Sequence, residues 1–131
     1  MAGVWTDQDR ERCFDRVTRT ITALPATAAT PWGTHPRLTV RDKGFGYAMA
    51  DHHGDGRLAV TCRAPAGAQQ ALVGAEPDRY FVPAYTGRSG WVGAHLDDDH
   101  APDWAEITGL LRQACEMTAP RALLREFAAD G

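Results

Sequence analysis

The stretch Arg37-Leu38-Thr39-Val40-Arg41-Asp42-Lys43-Gly44-Phe45-Gly46-Tyr47-Ala48-Met49 decides the fold class. Across residues 37–43 the side chains alternate with period two, so Leu38 and Val40 go to one face and Arg37, Thr39, Arg41 and Lys43 to the other. Phe45, Tyr47 and Met49 alternate on a second strand, and Leu58, Val60 and Cys62 on a third. Between these two lies Asp51-His52-His53-Gly54-Asp55-Gly56, a run of turn formers that predicts an antiparallel hairpin. Gly90–Asp97 reads as a further strand, with Val92, Ala94 and Leu96 on one side and Trp91, Gly93 and His95 on the other.

Helical patterns flank this β region. Thr6-Asp7, followed by Asp9 and Glu11, supplies a cap and acids for a helix start. Cys13, Phe14, Val17, Ile21 and Leu24 then form one apolar stripe, which Pro25 ends. A short helix is expected between Pro65 and Ala75 around Leu72 and Val73, and a brief extended piece over Tyr80–Pro83. After Pro102, Trp104, Ile107, Leu111, Ala114 and Thr118 form a second strong stripe, and a last helix runs from Pro120 through Leu123, Leu124 and Phe127. Residues 26–36 read as a loop. The order predicts an α+β fold, an antiparallel sheet with helices on one face, in one domain spanning residues 1–131.

Composition agrees with a globular chain: 44% hydrophobic and 24% charged residues, with a net charge of −3. Charge is uneven. Residues 1–36 balance, residues 37–95 carry +2 and residues 96–131 carry −5. The charged N-terminal residues leave no room for an apolar leader, and no apolar run approaches the roughly 20 residues of a membrane helix, so a cytoplasmic location is expected. Cys13, Cys62 and Cys115 are far apart and sit in apolar patterns, which predicts buried free thiols rather than disulfides.

No catalytic set emerges. Ser89 is the only serine, in a glycine-containing loop without the spacing of a nucleophile or phosphate motif. His52-His53 and Asp97-Asp98-Asp99-His100 contain ligand-type residues, but neither has a metal-site spacing. The first reads as an exposed turn, the second as a cap region ahead of Pro102. The expectation is a non-enzyme with no cofactor and no metal. The pattern with chemical content is the strand alternation. If Arg37, Arg41, Lys43, Arg63 and Trp91 share the outward sheet face, phosphate-pairing cations lie beside a stacking surface. Trp32, His35, Tyr47, Tyr85 and Trp91 could alternatively line a cleft for a small molecule.

Three segments carry a family likeness: Pro31-Trp32-Gly33-Thr34-His35-Pro36, Val40-Arg41-Asp42-Lys43-Gly44-Phe45, and Val82-Pro83-Ala84-Tyr85-Thr86-Gly87-Arg88-Ser89-Gly90-Trp91-Val92. In this order, ahead of a long helix, they resemble the MmcQ/YjbR family, and the likeness runs from the first helix to Pro120. The resemblance implies a CyaY-like (double-wing) fold and a small bacterial, cytoplasmic protein with a DNA-binding role. It carries Lys43 and Trp91 over as residues with ligand chemistry, and Gly33, Pro36, Pro83 and Gly87 as turn-shaping positions. The expected partner is therefore DNA, contacted by Arg37, Arg41, Lys43, Arg63, Arg88 and Trp91; a metabolite or drug is the alternative.

Overall fold

The structure is a computed structural model that describes residues 5–31, 33 and 35–130, with side chains through Phe127. Among the described residues, α-helices and strands follow in the order α1 (Asp7–Thr22), β1 (Thr27–Thr30), β2 (Arg37–Val40), β3 (Lys43–Ala50), β4 (Leu58–Cys62), α2 (Ala68–Ala75), β5 (Tyr80–Phe81), β6 (Val92–His95), α3 (Trp104–Thr118) and α4 (Leu124–Asp130), with short 3-10 turns between some of them. All pairings are antiparallel, in the order β1-β2-β3-β4-β6-β5. The α+β expectation holds. No helix among the described residues is long and apolar enough to cross a membrane.

The helices form where capping and periodicity place them. The Thr6 hydroxyl accepts the Asp9 N–H at 3.1 Å, and the Asp9 carboxylate accepts the Thr6 N–H at 2.8 Å, closing a reciprocal cap on α1. Asp103 caps α3 by accepting the Glu106 N–H. Val17 and Ile21 of α1, with Ile107, Leu111 and Cys115 of α3, pack onto Leu38, Val40, Phe45, Leu58, Val60, Cys62, Val92 and Ala94 in one core. All three cysteines are buried and free, as their apolar settings predict, and burial pushes the Cys62 and Cys115 thiols up to about 12.

Three expectations about the sheet are corrected. Residues 26–36 are not all loop, because Thr27-Ala28-Ala29-Thr30 pairs with β2 as an edge strand; it lacks the large apolar residues that mark strands by pattern. The expected strand over 37–43 ends at Val40. Arg41 and Asp42 both take positive φ, 48° and 66°, and form a two-residue turn that pairs Val40 with Lys43. Finally, Phe45, Tyr47 and Met49 do not share a face. Thr39 pairs with Gly44 and Leu38 with Gly46, so Phe45 is an inserted residue, a β-bulge. The bulge turns Phe45 into the core and leaves Tyr47 and Met49 half-buried on the side without α1 and α3.

Candidate binding face

The bulge also sets a row of side chains on this outer face. Arg37 pairs with Tyr47, Tyr47 with Thr61, Thr61 with Gly93 and Gly93 with Phe81. In the next row, Met49 pairs with Ala59 and Ala59 with His95. The guanidinium of Arg37 lies flat over Gly44, where a Cβ would fall only 2.7 Å from its Nε. Tyr47 stacks on Trp91, with ring centroids 6.1 Å apart. Trp91 is held from α2: the buried Gln69 amide donates to the carbonyls of Gly87 at 2.9 Å and Trp91 at 2.6 Å. Gln69 carried no sequence signal, because its role depends on a contact 22 residues away.

Beyond β5 the chain crosses the outer face. Pro83 and Ala84 lie beside Met49, Ala59, Thr61 and Phe81. Ala84, Tyr85 and Thr86 then close one side of a cleft of about 190 Å³, opposite His35, Tyr47, Met49 and His52. Tyr85 takes a φ of 65° and is 76% exposed, a half-sprung conformation for a non-glycine residue that projects its ring away from the core.

The far wall is a run of imidazoles. The Nδ1 of His35 accepts the Ala50 N–H at 3.4 Å, and its Nε2 lies 3.2 Å from His52 Nδ1. Burial, then His52, lowers the pKa of His35, so it is assigned as a neutral ring carrying its proton on Nε2 and donating to His52. The rings of His52 and His53 are 3.9 Å apart, and His53 meets Tyr85 edge-on at 6.0 Å. The two adjacent histidines of the turn therefore face each other instead of pointing apart. His53 has a φ of 53°, which swings its ring back beside His52.

The basic residues are dispersed. Arg41 and Lys43 are exposed at the β2–β3 turn, with Asp42 between them. Arg63 does not share the outer face: its guanidinium donates to the Thr118 hydroxyl of α3 at 2.8 Å. Strand β4 ends at Cys62, so alternation no longer governs residue 63. Arg88 is exposed in a 3-10 turn over Thr86–Ser89. On α1, Arg12 pairs with Asp9 and Arg19 with Asp15, while Arg16 covers Trp104 at 4.2 Å. Trp32 lies outside the described residues. The structure thus joins His35, Tyr47 and Tyr85 around one cleft, sets Trp91 beside Tyr47, and disperses the four arginines and one lysine expected to act together.

The family model YjbR matches residues 22–117, from the end of α1 almost to the end of α3. The chain belongs to the YjbR family. No curated protein and no solved structure matches it significantly. The matched span of this YjbR chain contains the whole sheet, the bulge, Gln69 and every cleft residue named above.

His95 is the other perturbed group on this face. It is buried, 8% exposed, and burial followed by the neighbouring His100 pushes its pKa down to about 4, against smaller opposing effects of Asp97 and Asp55. The sign follows from linkage. An unfolded histidine gains its proton near pH 6.5, whereas the folded ring resists protonation until about pH 4, so stability is lost as pH falls through that window. Urea unfolding is expected to lose roughly 2 kcal/mol between about pH 7 and pH 5, with the slope reduced in His95→Gln. An unchanged slope in that variant would assign the acid sensitivity elsewhere.

Proposed function

We propose that this YjbR-family chain is a non-catalytic binding protein for a small planar molecule, seated in the cleft between the β3–β4 turn and the Ala84–Thr86 segment. The observation that carries the reading is the convergence of His35, Tyr47, Met49, His52 and Tyr85 around one hollow. Aromatic and thioether surfaces offer a flat ring a dry contact, and the imidazole edges offer hydrogen bonds that fix its orientation. Tyr47 and Met49 come from β3, and His35, His52 and Tyr85 from three separate connecting segments. A rigid sheet floor and a looser wall suit a ligand that must enter from solvent.

Thermal unfolding against a panel of planar metabolites tests it. A ligand at a hundred times its dissociation constant raises the unfolding free energy by about 2.7 kcal/mol. Tyr85→Ala removes a ring that supports no core contact and is expected to weaken binding about tenfold while leaving the unliganded midpoint unchanged. A panel that stabilises neither protein, or both equally, removes the reading.

A nucleic-acid reading has its own specific support: Arg37 pairs with Tyr47 on the outer face, and Tyr47 stacks on Trp91. Cations beside stacked rings suit an unpaired strand better than a duplex. The two readings separate by salt, because displacing counterions from phosphates makes affinity fall steeply with ionic strength. Titration of labelled single-stranded and duplex DNA at low and moderate salt decides. Salt-sensitive binding that Arg37→Ala weakens supports the nucleic-acid reading; no binding at low salt excludes it.

A further inference from the structure

Where β6 runs out, three ligand-type side chains meet: one ring nitrogen each from His95 and His100 and one Asp97 oxygen lie within 4.8 Å of one another. We propose that His95, Asp97 and His100 form a binding site for one first-row divalent ion of the zinc type.

Two of the three groups are held by the fold. His95 ends β6, where its N–H donates to the Arg79 carbonyl and its ring lies 4.9 Å from that of Phe81. Asp97 follows Leu96, whose N–H donates to the Leu58 carbonyl, and its carboxylate is 8% exposed. The third group is free to adjust. His100 stands at the end of a 3-10 turn over Asp98–His100, its side chain 35% exposed and its Nδ1 2.8 Å from an Asp97 oxygen.

The arrangement leaves needs that a cation answers. His95 Nδ1 is buried and has no hydrogen-bond partner among the described residues. Its ring is more than nine-tenths buried, stacks on His100 at 3.8 Å, and is kept neutral by burial, the form in which imidazole is a ligand. The buried Asp97 carboxylate has the His100 ring as its partner at 2.8 Å, and a divalent ion between the two would share its charge. Two nitrogens and an oxygen are a borderline-soft set that suits zinc and its first-row neighbours and disfavours magnesium and calcium, which prefer oxygen. Three protein ligands leave a fourth position for water or for a donor atom of another molecule.

Binding requires one movement. The stacked rings are within 10° of parallel, and each nitrogen lone pair lies in its own ring plane, so no ion sits on both axes as they stand. Zinc–nitrogen bonds near 2.0–2.1 Å set tetrahedral ligand atoms about 3.4 Å apart. His100 must therefore turn out of the stack and close on the ion, while His95 and Asp97 stay with the strand end. The sequence reading placed residues 97–100 in a solvated cap region, because their own spacing specifies no site. His95 joins them only through the end of β6.

Cobalt(II) titration of the full, metal-stripped chain, followed by visible absorption, tests the proposal. One equivalent is expected to give a saturating ligand-field spectrum that zinc displaces and millimolar magnesium does not. His100→Ala, at a partly exposed position, is expected to keep the native circular dichroism and to weaken cobalt binding at least tenfold, as is Asp97→Asn. Three results overturn the proposal. They are no saturable spectrum, affinity unchanged in His100→Ala, and a thiolate-to-cobalt charge-transfer band, which would move the ion to Cys13, whose Sγ lies 3.5 Å from the Leu96 carbonyl.

Discussion

Phe45→Ala is expected to lower the unfolding free energy by about 3–5 kcal/mol, a large share of the 5–15 kcal/mol typical of a domain this size. The ring is fully buried, and it occupies the core only because the bulge gives β3 one residue more than β2 opposite it. Its backbone is committed as well, since the Phe45 carbonyl accepts the Arg63 N–H at 3.0 Å. Removing the ring empties a site that the fixed backbone cannot close, so a cavity remains. Urea unfolding should show a lower midpoint at an unchanged slope. A loss below about 1 kcal/mol would mean that Phe45 is not a core residue and that the bulge is misplaced.

Gly46→Ala is expected to destabilise by about 3 kcal/mol or more, although it adds a single methyl. A Cβ on Gly46 would fall 2.5 Å from the backbone oxygen of Thr61 on β4 and 3.2 Å from the Leu38 side chain on β2. The obstacle is the neighbouring strand's own peptide, which cannot rotate away as a side chain can, so β3 and β4 must part where they are hydrogen-bonded. Gly93 offers the contrast. The nearest atoms to a Cβ there all belong to the Phe81 ring, at 2.4 Å and beyond, and a ring can move. If Gly46→Ala unfolds at the parent's urea concentration, the close approach of β3 to β4 is not as described.

The sequence revealed most where periodicity and capping act alone. The stripes of α1 and α3, the Thr6 cap and the Val92-Ala94-Leu96 face of β6 depend on residues close along the chain, and each appears in the structure. The basic strand face did not survive. Arg41 and Asp42 adopt left-handed conformations without the glycine or asparagine that advertises such a turn, and a reader of alternation alone runs the strand through them. The bulge was equally silent, because one inserted residue changes no residue type while it reverses the face of everything after it. Arg63 left the sheet face for Thr118, a partner 55 residues away.

The candidate cleft was half legible. His35, Tyr47 and Tyr85 were singled out as aromatic and polar residues near loops, and the structure brings them together with Met49 and His52. What brings them together was not legible: the positive φ of His53 and Tyr85, and the Gln69 amide that pins the Gly87–Trp91 segment. The same is true of His95, whose meeting with His100 depends on how the chain turns after its last strand.

Binding of a planar ligand in the cleft on the outer sheet face is tested most directly by amide-proton NMR of the full chain against planar fragments. It predicts saturable shifts concentrated at His35, Tyr47, Met49, His52 and Tyr85, diminished in Tyr85→Ala. Shifts that cluster instead over α1 and α3, or that scatter without saturating, would contradict it.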